Sequence, residues 1–257
     1  MFPVILRIGP LTLHTYGLMI AVGFLVSLWF AVREAKRVSI PSERIMDIGF
    51  YCILSGIVGA RLVYVLTNWS YFAGRPLDVV KVWEGGLVFY GGVIFAIPTA
   101  LWYAQSKGLP VWKATDAWAP SLAIGHAIGR IGCFCAGCCH GSPAQGLPWA
   151  VTFTHPESLA IRGVPLHPTQ LYESGAELLN FLFLYLFLRP RKTFDGQLFW
   201  AYIANYAVIR FWIEYVRGDI ERGFLMPGVS TSQGISIAML AVAAGFLLYL
   251  GKKPKAG

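Results

Sequence analysis

Apolar runs of about 20 residues, the length that crosses the hydrocarbon core of a bilayer, constrain this chain more than any other feature. They fall at approximately 14–32, 45–66, 86–105, 115–133, 170–188, 196–215 and 232–250. Only 13% of the 257 residues are charged and 56% are hydrophobic, too little charge to cover a soluble domain of this length. The reading is an all-α integral membrane protein of about seven transmembrane helices. Nine Trp and twelve Tyr suit aromatic belts at the two interfaces. No internal repeat or second domain is visible, so residues 1–257 read as a single polytopic domain. The first run ends in FAVREAKR rather than at a small-residue cleavage site and lacks a basic leader, so it is expected to stay as a membrane helix.

The formal charge of +8 fits basic cytoplasmic loops better than a nucleic-acid surface. Arg33, Lys36, Arg37 and Arg44 follow the first run, Lys107 and Lys113 the third, Arg189, Arg191 and Lys192 the fifth, and Lys252, Lys253 and Lys255 the seventh. The opposite loops mix Arg7, Arg75, Lys81, Arg162, Arg217 and Arg222 with Asp78, Glu84, Glu157, Asp219 and Glu221. The basic excess predicts a cytoplasmic C-terminus and an N-terminus outside. The longest external loop, about 134–169, exceeds an ordinary connection and is expected to have structure of its own.

Several charges fall where a bilayer would be. Arg61, Arg130 and Arg210 lie within runs, and Glu214 lies near the outer end of the sixth. An arginine at bilayer depth costs at least ~2.5 kcal/mol on insertion scales, so each needs a partner or a task. Arg210 and Glu214 are spaced to share one helix face. Three arginines facing one cavity would hold an anion. Glu173, in HPTQLYES (167–174), also needs a partner, and the His-Pro before it signals helix entry. In WEGGLVFYGGVIF (83–95) two Gly-Gly pairs bracket Tyr90's turn. They allow either close helix packing or close approach of a ligand.

The stretch GRIGCFCAGCCHGS (129–142) holds Cys133, Cys135, Cys138 and Cys139, followed by His140. A membrane thiol–disulfide oxidoreductase would use them, although a C-x-C plus a vicinal pair is not the usual redox motif. A structural zinc site would draw every ligand from one short stretch, which makes closed tetrahedral geometry hard. A non-enzymatic seven-span transporter lacks the inverted repeat or broken-helix pair it would call for. The plain alternative is that small cysteines pack the end of the fourth helix, with one disulfide available and Cys52 left over. His126 reads as a hydrogen-bonded core residue.

Six blocks together carry a resemblance: YGLM at 16–19, GARLVY at 59–64, WEGGLVFYGG at 83–92, GRIGCF at 129–134, HPTQLYE at 167–173 and RFWIEYVR at 210–217. In order and over nearly the whole chain they resemble the bacterial phosphatidylglycerol–prolipoprotein diacylglyceryl transferase family. The resemblance implies a seven-span enzyme of the cytoplasmic (inner) membrane, with its active site on the outer side. It implies transfer of the diacylglyceryl group of phosphatidylglycerol to the lipobox cysteine of a preprolipoprotein, giving a thioether and glycerol 1-phosphate. No metal or organic cofactor is implied.

Carried over residue by residue, the resemblance makes Arg130 the headgroup-binding arginine and Gly141 the closing glycine of its motif. Arg210 falls on the second functional arginine, Glu214 on its carboxylate, Tyr206 on a tyrosine one turn earlier, and Tyr16 on the first-span tyrosine. Some members carry asparagine at Cys133 and glutamate at Cys138, and a histidine proposed as the base stands where this chain has Tyr90. The chemistry needs a base for the thiol, since the thiolate is the nucleophile, and cationic support for the leaving phosphate. Tyr90 is placed for the first task, His140 is the chemically easier base, and Tyr16 is a third candidate.

Overall fold

The computed structural model describes residues 2–9, 11–218, 223–226 and 228–252. Asp219, Glu221, Arg222, Lys253 and Lys255 of the loop-charge argument lie outside them, as does the side chain of Glu84. Each of the seven apolar runs coincides with a helix: α1 Thr15–Arg37, α2 Ser42–Thr67, α3 Phe89–Ser106, α4 Val111–Ala136, α5 Thr169–Leu182, α6 Gln197–Ile213 and α7 Thr231–Gly251. α5 continues through a π-turn and a 3-10 turn to Arg191. α1, α2, the Thr169–Arg191 stretch and α7 are long and apolar enough to cross a membrane, as an integral membrane protein requires.

The all-α expectation needs correcting at the margins. Val4–Ile8 (β1) and Leu11–His14 (β2) pair antiparallel around Gly9, whose φ is +57°. Short pairs also form between β3 Val151–Thr152 and β4 Pro165–Leu166, and between β5 Phe224–Met226 and β6 Val229–Ser230. The third helix starts later than expected. Gly85 and Gly86 sit at φ +88° and +68°, a region that breaks a right-handed helix and favours glycine.

The chain divides into two compact units, residues 32–114 and residues 1–31 with 115–257. In the first, α2 and α3 pack through glycine. A β-carbon on Gly59 would meet the Gly91 carbonyl at 2.6 Å, and one on Gly91 would meet the Gly59 carbonyl at 2.5 Å. The second Gly-Gly pair therefore serves helix packing. Arg61, left open at the sequence level between an internal partner and an anion site, is committed to the loop before α3. Its guanidinium donates to the carbonyls of Val79 (2.8 Å), Gly85 (2.7 Å), Gly86 (3.2 Å) and Asp78 (2.5 Å). Four backbone carbonyls satisfy the guanidinium without an anion.

In the second unit α1 approaches α4 closely. A β-carbon on Gly23 would meet the Gly125 carbonyl at 2.9 Å, and Ser27 Oγ donates to the Ser121 carbonyl at 2.7 Å. Ala119, Ala123, Phe181, Leu184 and Leu198 form a core joining α4, α5 and α6, and Trp200 stacks on Phe246 of α7 with centroids 4.2 Å apart. The start of α6 is capped from α4. Buried Asp116 accepts the Gly196 amide (2.8 Å) and the Phe199 amide (3.0 Å), and pairs with Lys192 at 2.8 Å. Gly196 has no side chain to do this itself, so the orphan amides of the first turn take a carboxylate from another helix. The segment after α4 has a small core of its own, Phe153, Ala160 and Leu166, as its length led us to expect.

Candidate active site

The second unit gathers its buried charges where α4, α5 and α6 meet. Arg130 on α4 pairs with Glu173 on α5 at 2.5 Å, and the other oxygen of Glu173 lies 3.3 Å from His126 Nε2. One turn on, Glu177 lies 4.0 Å from His126 Nδ1 and accepts from Asn180 at 3.3 Å. On α6, Arg210 pairs with Glu214 at 2.6 Å and donates to Ser232 of α7 at 3.0 Å. Glu173 is 3% exposed and Glu177 0%, so Glu173 answers Arg130 inside the protein and Glu177 extends the buried cluster through His126 and Asn180. At that depth a pair without good geometry would cost more than it returns.

Both guanidiniums act electrostatically on Glu173 and on Tyr206. Tyr206 also stands with its ring 5.4 Å from that of His126. Arg130, Arg210, Tyr206 and Glu214 therefore belong to one polar cluster in one unit. Arg130 Nε is buried with no hydrogen-bond partner among the described residues, so the fork retains a donor for an anion. Tyr16, on the first turn of α1, lies within electrostatic range of Arg130, Cys133, Cys138 and Cys139. Tyr90 is on α3 in the other unit and is 60% exposed.

Gly141 is fixed by its surroundings. Its amide donates to the His167 carbonyl at 2.9 Å, and a β-carbon there would meet His167 Cβ at 2.5 Å and the Val216 carbonyl at 2.6 Å. The neighbouring His140 places Nδ1 2.9 Å from the Gly141 carbonyl. A carbonyl only accepts, so Nδ1 carries the proton and Nε2 holds the free lone pair.

The thiols cluster beside this site. Cys133, Cys138 and Cys139 have sulfurs all within 4.8 Å of one another, and no cysteine is in a disulfide among the described residues. Arg130 Nη1 stands 3.7 Å from Cys133 Sγ, at the position where some relatives of the resembled family carry asparagine. Hydrogen bonds from the Cys133 and Cys138 thiols, with Arg130 and Arg217 nearby, hold the Cys139 thiol below its ordinary range despite burial.

Sequence reasoning flagged Glu173 as needing a partner but did not name Arg130. It passed over Glu177, Asn180 and Asn205, whose amide donates to Asn180 at 2.8 Å. The one available signal was the four-residue spacing of Glu173 and Glu177, which puts both on one face of α5.

Comparison with known proteins agrees with the six-block resemblance. Residues 3–249 match the family described as prolipoprotein diacylglyceryl transferase. Proteins named phosphatidylglycerol–prolipoprotein diacylglyceryl transferase share 38% identity in Geobacillus kaustophilus, covering 93% of this chain and 89% of that protein. The corresponding values are 36% in Bordetella parapertussis, covering 98% and 96%, and 35% in Bacillus licheniformis, covering 96% and 92%. With a match spanning nearly every helix that builds the charged cluster, the chain belongs to the prolipoprotein diacylglyceryl transferase family.

Proposed function

We propose that this protein transfers the diacylglyceryl group of phosphatidylglycerol to the lipobox cysteine thiol of a preprolipoprotein. It does so as a seven-span polytopic domain of the bacterial cytoplasmic membrane, N-terminus outside and C-terminus cytoplasmic. The 134–169 segment and the reacting groups face the outer side. The observation that carries the reading is the buried cluster of Arg130 and Arg210, each paired with a carboxylate, in a chain of this family.

The substrate thiolate attacks the glycerol carbon that bears the phosphate. The S–C bond forms, the C–O bond breaks, and glycerol 1-phosphate leaves with the bond's electrons. Arg130 and Arg210 hold that phosphate from two helices as its charge grows. Glu173 and Glu214 keep the guanidiniums charged and aimed before substrate arrives. Tyr206 and Gly141 border the headgroup, and Tyr16 lies at the thiol end. The residues described supply every step, so the scheme calls on no cofactor.

The thiol proton goes to a base. Tyr90 holds the position of the family's histidine, whereas the His140 tautomer leaves Nε2 ready to accept. We assign the proton to His140. Only the unprotonated form of a base accepts a proton, so the rate falls on the acid side of the pH–rate profile, its lower limb. The experiment is transfer of labelled diacylglyceryl from phosphatidylglycerol to a lipobox peptide, with pH–rate profiles of the parent, His140→Gln and Tyr90→Phe. Loss of the lower limb in His140→Gln alone is expected. Its loss in Tyr90→Phe alone transfers the role to Tyr90, and two unchanged profiles remove both. Absence of any transfer to the peptide overturns the function itself.

A further inference from the structure

We infer that Cys133, Cys138 and Cys139 form a binding site for a soft monovalent cation, Cu(I), held by three thiolates. Their sulfurs lie within 4.8 Å of one another. A metal–thiolate bond of about 2.3 Å puts the sulfurs of a trigonal set roughly 4.0 Å apart. Closing the observed group onto an ion therefore moves each sulfur by on the order of 0.5 Å, within the freedom of a rotamer adjustment.

The backbone is shaped for this convergence. Gly137 and Cys139 sit at φ +80° and +57°, which turns the chain back after α4 and returns two thiols to the one at Cys133. A non-glycine residue in that region is strained and persists only where its surroundings hold it. Buried Gln170 and Thr169 at the start of α5 do so, donating to the carbonyls of Cys138 (2.7 Å) and Cys139 (2.8 Å).

The number of ligands selects the metal. The group holds three cysteines among the described residues, with adjacent His140 outside it. Zn(II) takes four ligands in a closed site, the difficulty that one short stretch raised at the sequence level. A soft ion that accepts three thiolates has no such need. Cys135 and Cys52 lie outside the group.

The full-length protein in detergent, titrated anaerobically with Cu(I) against bicinchoninate, tests the site without reference to lipid transfer. One equivalent should bind. Cys133→Ser, Cys138→Ser and Cys139→Ser should each weaken binding at least tenfold, while Cys135→Ser binds as the parent does. X-ray absorption of the loaded parent should show three sulfur neighbours, a readout that stands even where a serine variant fails to fold. No binding against the competitor, binding by the three variants as tight as by the parent, two sulfur neighbours, or tighter binding of Zn(II) than of Cu(I) would each overturn the assignment.

Discussion

Arg130→Ala is expected to lower diacylglyceryl transfer by about 10²–10³-fold, the usual loss on removing one transition-state charge stabiliser. In the proposed mechanism the residue supplies a buried cation where the leaving phosphate gathers charge, and that charge is larger in the transition state than in the bound lipid. The fall should therefore appear in kcat as well as in kcat/KM. Arg130→Lys should recover little, because a single ammonium cannot present the planar fork to both Glu173 and a phosphate. The labelled-lipid assay with saturating phosphatidylglycerol reads this directly. Normal transfer by Arg130→Ala would remove Arg130 from the chemistry.

The second large effect is on stability. Glu173→Ala leaves Arg130 buried and takes from His126 its 3.3 Å neighbour. Removing one partner of a buried pair costs about 3–5 kcal/mol, mostly the cost of the stranded charge. Thermal unfolding in detergent should show a correspondingly lowered Tm. The double replacement Arg130→Met with Glu173→Met should recover much of the loss, because it removes the stranded charge along with its partner. A double variant as unstable as Glu173→Ala would show that the pair is not the source of the effect.

What the sequence disclosed follows how local each cause is. The seven helices were readable because hydrophobic length is a local property, and the Arg210–Glu214 pair because four residues set it. The start of α3 was misjudged since the φ values of Gly85 and Gly86 are decided by the loop they turn, which Arg61 pins through its carbonyls. The pairing of Arg130 with Glu173, 43 residues away, depends on which helices become neighbours, and no spacing rule reports that. The convergence of three thiols depends on the backbone angle of Cys139. Their sequence pattern alone favoured packing, with a disulfide available, over a metal site.

The cap that α4 lends to α6 works as a ruler. Asp116 fixes Gly196, and each site arginine stands fourteen residues further along its own helix, Arg130 beyond Asp116 and Arg210 beyond Gly196. At 1.5 Å per residue both arms measure roughly 21 Å from one pinned origin. Matched arms would set the two guanidiniums at a similar level along their helices, as the proposed phosphate site requires. Inserting one residue into either arm would shift its arginine by about 1.5 Å and turn it by roughly 100° away from its partner. The lengths of these two helices are therefore tied to each other, whatever residues fill the turns between.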